Sequence, residues 1–459
     1  MIAEVIKRAA GASPRKGATI FMLLCAVQLL QPWHGGRAQQ LPLRAAMSRA
    51  LERNATLRSV DAQHRVAEAG LRETRSGHLP RITASTSYTW YQEANIIFPI
   101  HQAGVFPPLD DRIFDSNVQL TLPLWSGGRT SGRVDMAEAA MAESAAQSRR
   151  TRQEVLEQLA GLYIKSAELN DKQQLLRERR TVLAKRRQDI SALLDEGRST
   201  QAQRSLIDAE MAAVAADSMS LQLREQEIAW QLGQLTGARE AVAPYVGDLQ
   251  LERALAAARV DSAAIPRAEK NADFMAAQAR LQQREAMEAL AWKSFLPDFN
   301  AFALYNYRSG ATNWDPAGEW AAGLRLSIPL FDGGRRIAGL RGAKEQTQAA
   351  EYHLQAVELQ FHAQARVAGE RWQVNLRQRE MADEAVQRKM EFLRAQEQLH
   401  AAGRLTIAEL MTQENELLQL RMQERTYLYG MLTAVLRWHA LHGSLTQERI
   451  ETLLGEQEE

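Results

Sequence analysis

Four short stretches of this chain alternate apolar and polar residues with a period of two. In Ile82 to Trp90, positions Ile82, Ala84, Thr86, Tyr88 and Trp90 form one face and Thr83, Ser85, Ser87 and Thr89 the other, the pattern of a strand with one apolar side. Phe114 to Leu124 sets Phe114, Val118, Leu120, Leu122 and Leu124 against Asp115, Asn117, Gln119 and Thr121. Trp320 to Leu330 sets Trp320, Ala322, Leu324, Leu326, Ile328 and Leu330 against Ala321, Gly323, Arg325 and Ser327. Phe299 to Tyr307 is less regular, because Phe302 and Leu304 fall on the otherwise polar side. Strands are therefore expected near 82–92, 114–124, 298–308 and 320–330.

The tracts between them read as helix. Arg129 to Leu194 and Arg335 to His400 are runs of about 65 residues without proline, rich in Ala, Glu, Gln, Arg and Leu, all strong helix formers. Shorter tracts of the same kind run from Leu43 to Ser76 and Ala268 to Ser294, and others follow Gly197 and Gly403. A helix of ~65 residues is ~100 Å long, several times the apolar thickness of a bilayer. Rods of that length pack side by side as a tube or bundle, turned at their far end by Gly197 and Gly403, which tolerate a left-handed backbone. Taken alone, they favour an ordinary coiled coil used as a spacer or adaptor.

The pattern is written twice. LTLPLWSGGR at Leu120 to Arg129 returns as LSIPLFDGGR at Leu326 to Arg335, identical at six of ten positions with an offset of 206. The same offset relates Gly197, Arg198, Thr200 and Gly237 to Gly403, Arg404, Thr406 and Gly443. Upstream, Asn54-Ala55, Leu79-Pro80 and Tyr88 match Asn271-Ala272, Leu296-Pro297 and Tyr305 with an offset of 217. The difference falls in a longer first-copy loop around Pro99, Pro107 and Pro108. The expected organisation is a first repeat over 39–243, a linker over 244–264, a second repeat over 265–443 and an acidic tail over 444–459. The pairs Gly127-Gly128 and Gly333-Gly334 mark tight strand-to-helix junctions, where bulky side chains would clash.

The start of the chain changes the setting. Ile20 to Leu30 is an apolar run of 11, behind Lys7, Arg8, Arg15 and Lys16 and ahead of Gly36-Arg37-Ala38. That is too short to span a bilayer and has the layout of a secretory signal peptide over 1–38. Removing it takes the net charge from +1 to about −3 and removes Cys25, the single cysteine. A mature chain without a thiol forms no disulfide or thiolate metal site, and its near-neutral charge gives no reason to expect nucleic acid.

Export sharpens the reading of the strands. Each has the ~9–11 residues that cross a bilayer, and Trp90, Trp125, Trp314, Trp320, Tyr88, Tyr305 and Tyr307 lie in or beside them, as aromatic girdles do. An ordinary small sheet packed on helices is the alternative. In lipid every backbone group must be paired, so a barrel has to close, and four strands cannot close one. Two copies would supply eight strands and three would supply twelve; the long helices favour the wider pore.

In this order and number, the Asn-Ala, Leu-Pro, Pro-Leu-Trp-Ser-Gly-Gly-Arg, Pro-Leu-Phe-Asp-Gly-Gly-Arg and Gly-x-x-Thr motifs resemble the TolC family of outer membrane factors, over nearly all of the mature chain. The resemblance implies a mainly α protein with a small β part: a homotrimer whose twelve-stranded outer membrane β-barrel continues as a helical tunnel into the periplasm. It implies a passive duct in tripartite efflux or type I secretion, with a periplasmic adaptor and an inner-membrane pump as partners, outer membrane lipid around it, and no cofactor. An acidic residue six positions after the turn glycine constricts the periplasmic entrance in that family. Glu409 matches this, whereas the first copy has Gln203. The expected aperture is therefore Gly197, Thr200, Gln203, Gly403, Thr406 and Glu409, with Glu409 as an acidic ring or as a solvated turn carboxylate. Asp115, Asn117, Gln119 and Arg325 are expected to line the barrel.

Two other classes compete. An enzyme is the first, and the sequence has no phosphate-binding loop, no HExxH and no nucleophile elbow. His439 and His442 have helical spacing that could hold a metal, but near a helix end histidines more often favour the dipole. A periplasmic coiled-coil adaptor would share the long helices and the export signal, without duplicated strand pairs.

Overall fold

The computed structural model describes residues 39–97, 104, 106, 108–247, 267–311 and 317–454. The expected signal peptide, Cys25, Pro99, Pro107, Trp314 and positions 248–264 of the expected linker lie outside them. The described residues begin with β1 (Gln39–Leu41), α1 (Leu43–Arg53), α2 (Ala55–Ser76), β2 (Arg81–Ile96), β3 (Leu109–Trp125), α3 (Arg129–Asp195), α4 (Gln201–Leu235) and β4 (Val242–Pro244). After a 3-10 turn at Ala268–Lys270 come α5 (Ala272–Lys293), β5 (Asp298–Gly310), β6 (Ala317–Ser327), α6 (Arg335–Ala401), α7 (Ile407–Leu441) and α8 (Gln447–Leu454). Corresponding helices agree in length: α2 and α5 have 22 residues, α3 and α6 have 67, α4 and α7 have 35. The fold is mainly helical with a small β part.

The sequence tract Leu43 to Ser76 is not one helix. It breaks at Asn54, whose side chain accepts from Leu57 N at 3.1 Å to cap α2 and donates to Leu235 O at the end of α4 at 2.9 Å. Asn271 does the same in the second half, capping α5 through Asp273 N and Phe274 N and donating to Leu441 O at 3.2 Å. Each Asn-Ala motif is thus a clamp that starts one helix and satisfies the orphan carbonyl at the end of another.

One four-stranded antiparallel sheet runs in the order β2-β3-β5-β6. β2 and β3, of 16 and 17 residues, outrun the expected spans at the loop end, past a register shift between Trp90 and Asn95. β6 stops at Ser327 instead of reaching 330. Pro329 has no N–H to give a neighbouring strand and restricts Ile328 before it. In β3 the matching Pro123 is absorbed by a shift in register before Trp125.

The main core lies in the helical part, where α1, α3, α4, α7 and α8 bury Leu43, Met47, Leu159, Tyr163, Leu232, Leu428 and Ile450. The acidic tail expected over 444–459, whose order the sequence left open, contains a helix. Within it α8 is an amphipathic helix that buries Ile450, Leu453 and Leu454, while Glu451 turns outward to Arg44 at 3.8 Å. Acidic composition alone hid the apolar stripe.

Candidate pore-lining face and helical tip

Residues paired across antiparallel strands share a face, so the register sorts the sheet. Thr83, Ser85 and Ser87 pair with Gln119, Asn117 and Asp115, which pair in turn with Leu304, Asn306 and Arg308. Arg325 pairs with Asn300. Asp115, Asn117, Gln119 and Arg325 therefore lie on one side of the sheet. There Arg308 donates to Asp115 at 2.6 and 2.9 Å, and Asn117 donates to Asn306. Phe302, out of pattern in the sequence, lies over Gly323, where a Cβ would meet its ring at 3.0 Å. The Arg325 guanidinium sits 5.1 Å from the centre of that ring.

The opposite side carries Ile82, Tyr88, Trp90, Val118, Tyr305, Trp320, Leu324 and Leu326, all exposed, with Trp90 and Trp320 each 77% so. A sheet face of this kind is not covered by the chain itself. Gly127, Gly128, Gly333 and Gly334 all have left-handed backbones, with φ of 60, 73, 68 and 87°, and the second of each pair starts a 67-residue helix. The strand-to-helix passage is thus built the same way twice.

At the other end of the helices, Gly197 and Gly403 both have φ of 72°. Arg198 N donates to Leu193 O at 2.8 Å and Arg404 N to Leu399 O at 2.9 Å, the closing bond of a glycine helix stop. Thr200 and Thr406 then cap α4 and α7, with Gln203 and Glu409 reaching back in capping boxes. Glu409 Oε2 accepts from Thr406 N at 3.0 Å and from Thr406 Oγ1 at 2.7 Å. These bonds hold its exposed carboxyl below the ordinary glutamate range. The acidic position six after the glycine is therefore the third residue of the next helix, and its first partner is that helix's own start.

The helices that flank the two turns are tied together by charges that the sequence alone did not reveal. Glu414 of α7 accepts from Arg179 on Oε2 and from Arg186 on Oε1, both on α3. Arg179 also donates to Asn415 Oδ1 at 2.7 Å and stands 3.9 Å from Glu210 of α4. Arg179 is 6% exposed and Glu414 8%. Arg187 bonds Asp208 at 2.6 Å, and Lys389 bonds Gln413 at 2.7 Å.

His439 is buried, with Nδ1 3.1 Å from Ser444 Oγ, and His442 Nδ1 is 2.7 Å from Trp438 O. Among the described residues no cluster of three or more His, Cys, Asp or Glu could hold a metal. Burial, with Arg449 nearby, lowers the His439 pKa to about 4. A neutral imidazole at His439 does not complement the helix dipole. The unfolded chain binds the proton more readily, near pH ~6.5. The stabilisation is complete above that value and is lost as pH falls through about 4. His439→Leu should accordingly lose less stability than the parent between neutral and acid pH, read from thermal midpoints.

A family model described as outer membrane efflux protein matches residues 46–238 and 267–444. No curated protein matches the chain. The fold is similar to solved structures of CusC (TM-score 0.75, 16% identity, covering 90% of this chain and 95% of that one) and of the outer membrane protein VceC from Vibrio cholerae (TM-score 0.72, 19% identity, 87% and 96%). It is also similar to the CmeC outer membrane channel from Campylobacter jejuni (TM-score 0.72, 15% identity, 89% of each chain).

Proposed function

The chain belongs to the outer membrane efflux protein family, and from that premise we propose that three copies form a passive duct from the periplasm to the exterior. Each copy supplies four strands to a twelve-stranded barrel in the outer membrane and its long helices to a periplasmic tunnel. The two repeats, over 39–243 and 265–443, are the building units, joined by the linker over 244–264. The single observation that carries the reading is the two-sided sheet. One face is polar and ion-paired, the other apolar and aromatic, and both outer edges are unpaired within the described residues. Unpaired edges in lipid require further strands.

Asp115, Asn117, Gln119 and Arg325 then line the barrel. Conduction needs no bond-making step. Its energy comes from an inner-membrane pump reached through a periplasmic adaptor, in efflux or type I secretion, and opening is a rearrangement of the helix ends near Gly197 and Gly403 driven by unequal contacts with those partners. The Glu409 carboxylate supplies one negative charge per copy near the mouth, and its bonds to Thr406 keep it ionised. Protein extracted in detergent and placed in planar bilayers should conduct in discrete steps. Glu409→Gln should reduce block by polyvalent cations without closing the pore. Unchanged cation block would assign Glu409 to capping alone, and a wild-type preparation without steps would refute the duct.

A further inference from the structure

The charges on the polar face of the sheet are unevenly matched. Where the strands are in continuous register, that face carries Arg81, Asp115, Asp298, Arg308, Glu319 and Arg325. Asp115 is held by Arg308 at 2.6 Å. Asp298, diagonally across from Arg325, is turned to Arg129. The Arg325 side chain makes no hydrogen bond or ion pair with any described residue, and its guanidinium is placed by the Phe302 ring, 5.1 Å from the ring centre. Glu319, the acid of β6 itself, stands six residues away, ~20 Å along the strand. Arg81 belongs to the same row, since it pairs with Thr121 and Thr121 pairs with Phe302.

The duplication shows that a strand pair of this kind does not need such an arrangement. In the first repeat Ser85 faces Asn117, with Gln119 two residues on. The repeat offsets carry these three positions to Phe302, Gly323 and Arg325, where Phe302 again faces Gly323. The three differ as a set. A Cβ at Gly323 would meet the Phe302 ring at 3.0 Å, so the ring needs the glycine beneath it. The guanidinium in turn lies by the ring and not by an acid. A neutral polar patch in one repeat has become an aromatic group with a cation in the other.

We propose that Phe302 and Arg325 form a station for organic anions with a flat aromatic body on the wall of the duct. The proposal rests on the twelve-stranded duct and names a substrate class for it. Guanidinium donors meet the oxygens of a carboxylate or sulfonate as a fork, and the Phe302 ring packs edge-to-face or offset against an aromatic body. Three copies repeat the station three times at one height. Twelve strands ~4.8 Å apart and tilted ~40° enclose a backbone diameter of roughly 24 Å. An arginine reaches about 6 Å inward from the wall. A solute on the axis therefore passes about 6 Å from the guanidiniums, inside the ~8 Å Debye length of physiological salt.

The test uses full-length protein in planar bilayers, with naphthalene-2-sulfonate and methanesulfonate as probes. Naphthalenesulfonate should reduce the wild-type current at concentrations at which methanesulfonate does not. Arg325→Gln should weaken that block ~10-fold, the size of one charge-assisted hydrogen bond, and should shift the reversal potential in a KCl gradient toward cations. Phe302→Leu should bring the two sulfonates level while leaving the reversal potential in place. An unheated denaturing gel establishes that each variant is still a trimer. Equal action of the two sulfonates on wild-type protein overturns the station whatever the variants do. Unchanged block in an assembled Arg325→Gln trimer overturns it as well. Wild-type protein that gives no conductance steps counts against the duct instead.

Discussion

Glu414→Ala is expected to destabilise the helical bundle by ~3–5 kcal/mol, the usual penalty for removing one partner of a buried ion pair. The carboxylate serves two guanidiniums, Arg179 and Arg186. Arg179 Nε and Arg186 Nη1 are already buried without a hydrogen-bond partner. Removing Glu414 leaves two cations facing each other, with Glu210 at 3.9 Å from Arg179 as the nearest compensation. Desolvation that was offset by the pair then stands alone. The effect should appear as a lower midpoint in thermal unfolding followed by helical circular dichroism, with Glu414→Gln losing less. Because the pair joins α3 to α7 near the turns, the same variant should show faster proteolysis around Gly197 and Gly403. An unchanged midpoint would mean that water already solvates the cluster.

Leu324→Arg is expected to deplete the assembled protein from the outer membrane. Leu324 pairs with Ala301 in the middle of β6, on the apolar face. An arginine facing lipid near the bilayer midplane costs ~2–4 kcal/mol, and the proposed trimer would carry the change three times. Ala321→Arg, farther along the same strand but on the polar face opposite Leu304, should assemble almost normally. The amount of heat-sensitive trimer in membrane fractions distinguishes them. Equal loss from both variants would contradict the facing of the sheet.

The facing was legible because side chains alternate with a period of two, so Asp115, Asn117, Gln119 and Arg325 could be grouped before any pairing was known. The ends of the strands were not, because β6 stops where Pro329 removes a donor, while β3 passes the equivalent Pro123 by a bulge. A composition equally helical on both sides hid the break at Asn54, which depends on a carbonyl 181 residues away. The Arg179 and Glu414 pair spans 235 residues and left no local signal. Thr406 and Glu409 were different: Thr-x-x-Glu is itself a capping signature, and the spacing from Gly403 drew attention to an aperture role ahead of the cap. The two turns end helices of equal length, and the contacts of Arg179 and Arg186 with Glu414 set α3, before one turn, beside α7, after the other.

Closure of a barrel by three copies underlies the proposed duct. Outer membranes should therefore be extracted with detergent and the protein run unheated and heated on a denaturing gel, with its mass checked by light scattering. A heat-sensitive trimer confined to the detergent extract is the predicted result; a monomer or dimer released by salt alone would contradict it.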